Sequence, residues 1–243
     1  MSETKNVVQP GADIESTVIS YTRWYSELTT LRTRYGQAEP FPHIVFDHFL
    51  VNAVAEQALA EFPPINSPGW IHQKHINENK LGHPNRSSFG PMIGAIIDEL
   101  NSPSFLRFLW DLTGIHGLLP DVTLQGGGLH QSERGGFLNI HADFTVHPYR
   151  RNWRRRVNVL VYLNKHWEDG YGGHLDLWDR QLRRCVRRIA PLFNRAVVFN
   201  TDEDSFHGHP EPLRCPLGVT RKSLALYYYT EESRPPVARS TEY

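Results

Sequence analysis

The chain has 243 residues, and its 26 basic residues balance its 26 acidic ones. A chain without net charge is not expected to bind nucleic acid, because a phosphate backbone attracts an excess of Lys and Arg. The length and the 40% content of hydrophobic residues exclude a disordered protein and predict a sizeable core.

The two cysteines, Cys185 and Cys215, are too few for a disulfide framework. The first residues lack the apolar stretch of a signal peptide, and no run reaches the ~18 apolar residues that a membrane span requires. These features predict a cytoplasmic protein without a membrane partner.

The first half of the chain has helical periodicity. Apolar residues recur every three or four positions, and proline-containing sequences interrupt the pattern. The predicted elements are, in chain order, a disordered segment 1–12, a helix 14–34, a strand 40–47, a helix 52–61, a loop 64–90 with room for one hairpin, and helices 91–100 and 102–113.

The second half has the pattern of a β domain. From Thr123 onward, short runs rich in β-branched and aromatic residues alternate with Gly, Asn and Asp. Eight such runs predict a jelly roll or a barrel, so the fold class is mainly β with N-terminal helices (α+β). The predicted strands are 122–130, 136–142, 155–163, 173–178, 184–189, 195–200, 205–209 and 222–230. The predicted regions are a helical support region 13–119, a jelly roll 120–232 and a loose tail 233–243.

A histidine and an aspartate lie two residues apart at the end of one predicted strand. His141 and Asp143 would project to the same face. Imidazole and carboxylate are two of the three ligands of the facial triad that binds non-heme Fe(II). On spacing alone a surface polar pair is the better interpretation, so a metal site needs a third ligand.

Two later histidines are candidates for that ligand. His207 and His209 lie in one predicted strand and share a face, so alternation cannot separate them. Pro210 cannot donate a hydrogen bond to a ladder, and the strand interior therefore favours His207.

Arg221 opens the last predicted strand. A guanidinium held inside an apolar barrel can bind a carboxylate with two hydrogen bonds. Its partner would be the distal carboxylate of a dicarboxylate cosubstrate, and the Tyr162 hydroxyl could contact the same group. On spacing alone, an ordinary core aromatic is the simpler interpretation of Tyr162.

The motifs taken in order resemble a known family. His141-x-Asp143, Tyr-Leu-Asn-Lys at 162–165, Gly-Gly at 172–173, a late histidine and Arg221 are similar to the prolyl 4-hydroxylase-like group of the 2-oxoglutarate/Fe(II)-dependent oxygenases. The similarity covers about residues 120–230 and implies a double-stranded β-helix (jelly roll) buttressed by helices.

The resemblance also implies a site and an activity. It implies that His141, Asp143 and His207 bind Fe(II) and form the catalytic centre. It implies that Arg221 and Tyr162 bind the cosubstrate 2-oxoglutarate. O2 would be the second cosubstrate and ascorbate a candidate reductant. The dioxygenase would hydroxylate an unactivated C–H bond and release succinate and CO2. The carboxylate at 143 favours hydroxylation or desaturation over halogenation.

The substrate is less well defined. Gln131 stands about ten residues before His141, where the hypoxia-sensing prolyl hydroxylases carry a tyrosine. This difference argues against transferring their specificity for peptidyl proline to this chain. The predicted substrate is a small molecule or an amino acid-like compound. Five arginines within 150–156 either form an exposed loop or bind an acidic substrate, and Arg155 represents them as a candidate substrate contact. Gln131 and Asp176 are the other candidates.

Three alternatives stay open. The enzyme could be a prolyl 4-hydroxylase acting on a protein or peptide. It could be a non-catalytic jelly-roll binding module, against which the intact metal-ligand set argues. A cupin-type metal enzyme that does not use 2-oxoglutarate would have no need of Arg221.

Overall fold

The computed structural model describes residues 16–243, so the predicted segment 1–12 and the beginning of the helix predicted at 14 lie outside the described residues. The helices are α1 (Tyr21–Ser26), α2 (Leu28–Gly36), α3 (Asn52–Ala60), α4 (Pro91–Leu100) and α5 (Pro103–Thr113). The strands are β1 (His43–Asp47), β2 (Ile71–His75), β3 (Glu78–His83), β4 (Leu119–Pro120), β5 (Gly128–Ser132), β6 (Phe137–His141), β7 (Trp153–Tyr162), β8 (Leu175–Trp178), β9 (Cys185–Ile189), β10 (Arg195–Asn200), β11 (His207–His209) and β12 (Arg221–Glu231).

The first predicted helix is two helices. It is interrupted at Glu27, where φ is −113°. The break allows Tyr21 and Trp24 of α1 and residues of α2 to reach the same core. The later helices begin and end close to their predicted positions. In α5, for example, the Ser102 side chain accepts a hydrogen bond from the Phe105 N–H, a typical N-cap.

The strands form one curled antiparallel sheet in the order β1-β10-β7-β12-β5-β3-β6-β11-β8-β9, with β2 added to β3 and β4 to β12. The region predicted as helical support also contributes strands to this sheet. β1 pairs with β10, and the hairpin β2–β3 lies in the part of the chain predicted as a loop. Because β3 pairs with both β5 and β6, it joins the two halves of the jelly roll.

Alternation along the central strands separates a helix-facing core from the interior of the jelly roll. In β7, Val157, Val159 and Val161 are fully buried in the core that contains the helices. Leu160 and Tyr162 belong to a second apolar cluster on the opposite face. β7 therefore places apolar residues on the helices and directs its other side chains into the interior. Within residues 16–243, none of the helices is both long and apolar enough to cross a membrane.

Candidate active site

Two paired strands bring the three predicted metal ligands together. β6 ends at His141, β11 begins at His207, and these residues are direct partners in the antiparallel pair. Asp143 follows β6 by two residues. The candidate ligand atoms of His141, Asp143 and His207, called the triad below, all lie within 4.8 Å of one another. They are the atom types and the number that a facial Fe(II) site uses.

Gly208 makes the close approach of β11 and β6 possible. A Cβ atom at this position would lie 2.7 Å from the backbone oxygens of Leu138 and Asn139. His209 pairs with Leu138 beyond an irregularity in the register. It is buried and lies outside the triad, so the structure brings His207, and not His209, to Asp143.

Both imidazoles are held in the orientation that a metal ligand needs. Nδ1 of His141 donates to the Asn139 carbonyl at 2.8 Å, and Nδ1 of His207 donates to the Ser205 carbonyl at 2.9 Å. Because a carbonyl only accepts, Nδ1 carries the proton and the lone pair of Nε2 is available. Burial lowers the pKa of His207 to about 4, which keeps this imidazole neutral.

Asp143 is fixed by two side chains of β7. Arg155 Nη2 lies 3.0 Å from Asp143 Oδ2, and Asn158 Nδ2 donates to the same oxygen at 2.8 Å. Arg155 Nε also donates to Asn158 Oδ1 at 2.9 Å, which closes the network. Burial opposes ionisation of Asp143, but the adjacent Arg155 guanidinium holds the pKa of Asp143 well below its usual range. The triad is thus prepared for a cation, with an ionised carboxylate and Nε2 lone pairs that are free to bind a metal.

A cavity of about 60 Å³ extends from His207 to Arg221. Arg221 is 7% exposed, its Nε donates to the Gly173 carbonyl at 2.8 Å, and its Nη2 donates to the Tyr162 hydroxyl at 3.3 Å. No acidic side chain within residues 16–243 forms an ion pair with it. A buried cation without an acid is costly, so this end of the cavity suits an anionic ligand. The remaining lining is Lys80, His130, Ser132, Leu138, Asn158, Leu160, Leu175, Phe199, Gly208, His209 and Ser223.

The three candidate substrate contacts occupy different environments. Arg155 is 2% exposed, stacks over Tyr227 at 3.5 Å, and has a buried Nη1 for which residues 16–243 offer no hydrogen-bond partner. Gln131 is buried on β5 and donates to the Thr220 hydroxyl at 2.7 Å, while its Oε1 has no partner in the described part of the chain. Asp176 forms an ion pair with Arg188 at 2.9 Å. Its neighbour Leu177 is the residue opposite His207, so alternation directs Asp176 to the other face of β8. All three stay predictions as substrate contacts.

Sequence reasoning missed Asn158 and Lys80. Asn158 is the polar residue inside the apolar run of β7, and that exception was a usable signal. Lys80 lies in the hairpin β2–β3 and lines the cavity. Nothing in its local sequence indicates that β3 inserts between β5 and β6.

Comparison with known proteins agrees with this geometry. Residues 127–229 match the family described as the 2OG-Fe(II) oxygenase superfamily. These residues are therefore similar to that family over less than half of the chain. The predicted resemblance is therefore confirmed, and the residues present fit the iron and 2-oxoglutarate that this family uses.

One relative of the chain is a protein named as a prolyl hydroxylase. The chain is 32% identical over 87 residues to the mouse protein named prolyl 3-hydroxylase OGFOD1, a match that covers 34% of this chain and 16% of that protein. The chain therefore spans less than a fifth of the length of this relative.

Solved structures share the fold, which confirms the predicted jelly roll. A Trichoplax adhaerens prolyl hydroxylase, solved with a hypoxia inducible factor peptide fragment, has a TM-score of 0.61 at 18% identity and covers 89% of this chain and 94% of its own. HygX of Streptomyces hygroscopicus, solved with nickel, 2-oxoglutarate and hygromycin B, has a TM-score of 0.52 at 12% identity and covers 84% and 86%.

Proposed function

We propose that the chain is a 2-oxoglutarate- and Fe(II)-dependent hydroxylase. The observation that carries this proposal is that one small cavity extends from His207 of the triad to the buried Arg221, which has no acidic partner among residues 16–243. A dicarboxylate that binds the metal with its 2-oxo acid end can direct its other carboxylate towards the guanidinium. His141, Asp143 and His207 would bind the metal.

The side chains around the cavity would position and protect the reactants. Bound Fe(II) would supply the activation of O2 that is coupled to decarboxylation of 2-oxoglutarate, which is chemistry of the cofactor. Arg155 and Asn158 hold Asp143 in one orientation. Arg221 and Tyr162 would bind the distal carboxylate. Leu138, Leu160, Leu175 and Phe199 keep the cavity largely apolar and limit the access of water.

A prolyl residue in a polypeptide is the substrate that the relatives support best, since the 32%-identical mouse protein is named a prolyl 3-hydroxylase. In this proposal the buried Nη1 of Arg155, which has no hydrogen-bond partner among residues 16–243, would donate to a substrate oxygen. A small-molecule substrate is the second candidate. The Gln131 amide already donates to the Thr220 hydroxyl, and Gln131 stands where the hypoxia-sensing prolyl hydroxylases carry a tyrosine. This difference favours a small-molecule substrate.

The decisive experiment measures succinate release after anaerobic loading with Fe(II). Proline-containing polypeptides and a panel of amino acids and small metabolites are tested as stimulants. Stimulation by a polypeptide supports the first substrate class and stimulation only by a small molecule supports the second. Absence of 2-oxoglutarate binding to the Fe(II)-loaded protein would instead favour a cupin-type enzyme. Bound metal and 2-oxoglutarate without succinate would favour a non-catalytic module.

Asp143→Ala tests the metal site directly. The variant removes the only carboxylate of the triad. Loss of a group that hydrogen-bonds to a metal ligand costs up to about 100-fold, so we expect loss of the ligand itself to lower turnover further. Asp98→Ala is the matched control, because Asp98 is 70% exposed and lies outside the cavity. Retained turnover in Asp143→Ala would contradict the proposed ligand set.

A further inference from the structure

Residues 237–243, called the 237–243 segment, lie antiparallel to residues 142–145 at the triad. The Ala142 N–H donates to the Glu242 carbonyl at 2.8 Å, and the Glu242 N–H donates to the Ala142 carbonyl at 3.0 Å. The Thr145 N–H donates to the Arg239 carbonyl at 3.2 Å, and the Arg239 N–H donates to the Thr145 hydroxyl at 3.0 Å. Because Ala142 lies between His141 and Asp143 in sequence, this pairing is made within the triad itself.

Tyr243 connects the segment to both sides of the site. Its ring centroid lies 5.5 Å from that of His141 and 6.0 Å from that of His75 on β2. Burial and the nearby Glu78 carboxylate of β3 raise the pKa of Tyr243 to about 12. The aromatic ring therefore bridges the hairpin β2–β3 and one member of the triad. With this ring in place, His141 is 5% exposed.

The segment is attached weakly in comparison with the strands beneath it. Val237 is 77% exposed and Tyr243 is 45% exposed, so little apolar surface is buried. The ion pair between Arg239 and Glu203 joins side chains that are 43% and 46% exposed. Exposed ion pairs contribute little stability, which leaves main-chain hydrogen bonds as the principal attachment. Segments of this kind open locally without unfolding of the domain.

We propose that the 237–243 segment is a removable cover of the triad. It binds the edge formed by residues 142–145 as an added strand and must detach before a substrate reaches the metal. The inference rests on the proposed function only in treating the triad as the metal site. An extended polypeptide would have to replace the segment at this edge, because the edge offers one row of main-chain donors and acceptors.

Glu242→Pro and Glu242→Ala form a matched pair that tests the cover. Both variants remove the same exposed carboxylate, but only proline removes the N–H that donates to Ala142. We expect amide hydrogen exchange of Ala142 to accelerate by at least about tenfold in Glu242→Pro, because the variant loses a ladder bond. We also expect faster removal of bound Fe(II) by a chelator. Glu242→Ala should retain wild-type rates.

Two further measurements keep the result interpretable. Unchanged exchange of the β7 and β12 amides will show that Glu242→Pro is folded. Tyr243→Ala should also accelerate chelation, whereas Tyr243→Phe, which keeps the ring, should not. Equal Ala142 exchange in Glu242→Pro and Glu242→Ala would overturn the proposal. If exchange changes as expected but no variant binds Fe(II), the proposed function fails and the cover stands, because the exchange measurement needs no metal.

Discussion

Two arginines are buried in the jelly roll, and they differ in one respect. Arg155 on β7 stacks over Tyr227 of β12, while Arg221 on β12 stacks over Tyr162 of β7. The strands and the contacts are reciprocal. Arg155 has an acid, Asp143, at 3.0 Å. Arg221 donates only to a carbonyl and a hydroxyl, both neutral.

The difference indicates which arginine is balanced by an acid of the protein and which one would be balanced by an anionic ligand. An ion pair balances the charge of Arg155 in the ligand-free protein. The charge of Arg221 lacks a balancing acid among residues 16–243, so folding bears its desolvation penalty and an anionic ligand can relieve it. Removal of the Arg155 guanidinium should therefore change the stability of the ligand-free protein, whereas removal of the Arg221 guanidinium should change ligand affinity.

Arg155→Met is expected to have the larger effect on stability. The variant leaves Asp143 ionised, buried and without its cation, and breaking a buried pair in this way costs about 3–5 kcal/mol. The measurement is urea unfolding of the metal-free protein at pH 7, compared with wild type. A change in the free energy of unfolding below about 1 kcal/mol, the value of an exposed pair, would contradict the assigned role.

The pH dependence of this loss has a definite sign. In the wild-type protein the pKa of Asp143 is lowered, so its ionisation stabilises the fold above the unfolded pKa of about 3.9 and that contribution disappears as pH falls through the folded pKa. In Arg155→Met, burial acts without Arg155 and raises the pKa of Asp143. The difference from wild type should therefore shrink as pH falls. Arg155→Lys, which keeps a positive charge, should lose less stability at pH 7.

Arg221→Met should reverse the pattern. No acid is left unpaired, so we expect the free energy of unfolding of the ligand-free protein to change by less than about 1 kcal/mol. Affinity for 2-oxoglutarate should fall by at least about 100-fold, since a hydrogen bond to a charged group contributes about 1.5–3 kcal/mol and the guanidinium can make two. Calorimetric titration of the metal-loaded protein measures the affinity. Unchanged affinity would place the distal carboxylate elsewhere.

Local pattern was sufficient for the parts of the fold and the site that depend on a single strand. The alternation of β7, the two-residue spacing of His141 and Asp143, and the position of Arg221 at the beginning of β12 could all be read from the sequence. The jelly roll followed from the same short-period signals.

Tertiary placement explains what local pattern did not indicate. The choice of Arg155 and Asn158 as partners of Asp143 depends on how the residues after β6 lie against β7. The tail 233–243, which contains Pro235-Pro236, was predicted to be loose, yet main-chain hydrogen bonds attach part of it to residues 142–145. Main-chain pairing of this kind is independent of side-chain identity, so no sequence pattern reports it.

Replacing Lys80 is the test of this comparison with the smallest expected effect and the most specific outcome. It lines the same cavity as Arg221, but its ammonium lies 3.0 Å from Glu78 Oε2, so its charge is already balanced as that of Arg155 is. Lys80→Met leaves the Glu78 carboxylate beside a site for a dianion. We expect 2-oxoglutarate affinity to fall by about fivefold, or about 1 kcal/mol, because the side chains are partly solvated and the interaction is screened.

Glu78→Gln should change affinity in the opposite direction. The Lys80→Met effect should diminish at high salt, whereas the effect of Arg221→Met, at a buried site, should persist. A Lys80→Met loss as large and as salt-insensitive as that of Arg221→Met would mean that the lysine, and not the arginine alone, binds the distal carboxylate.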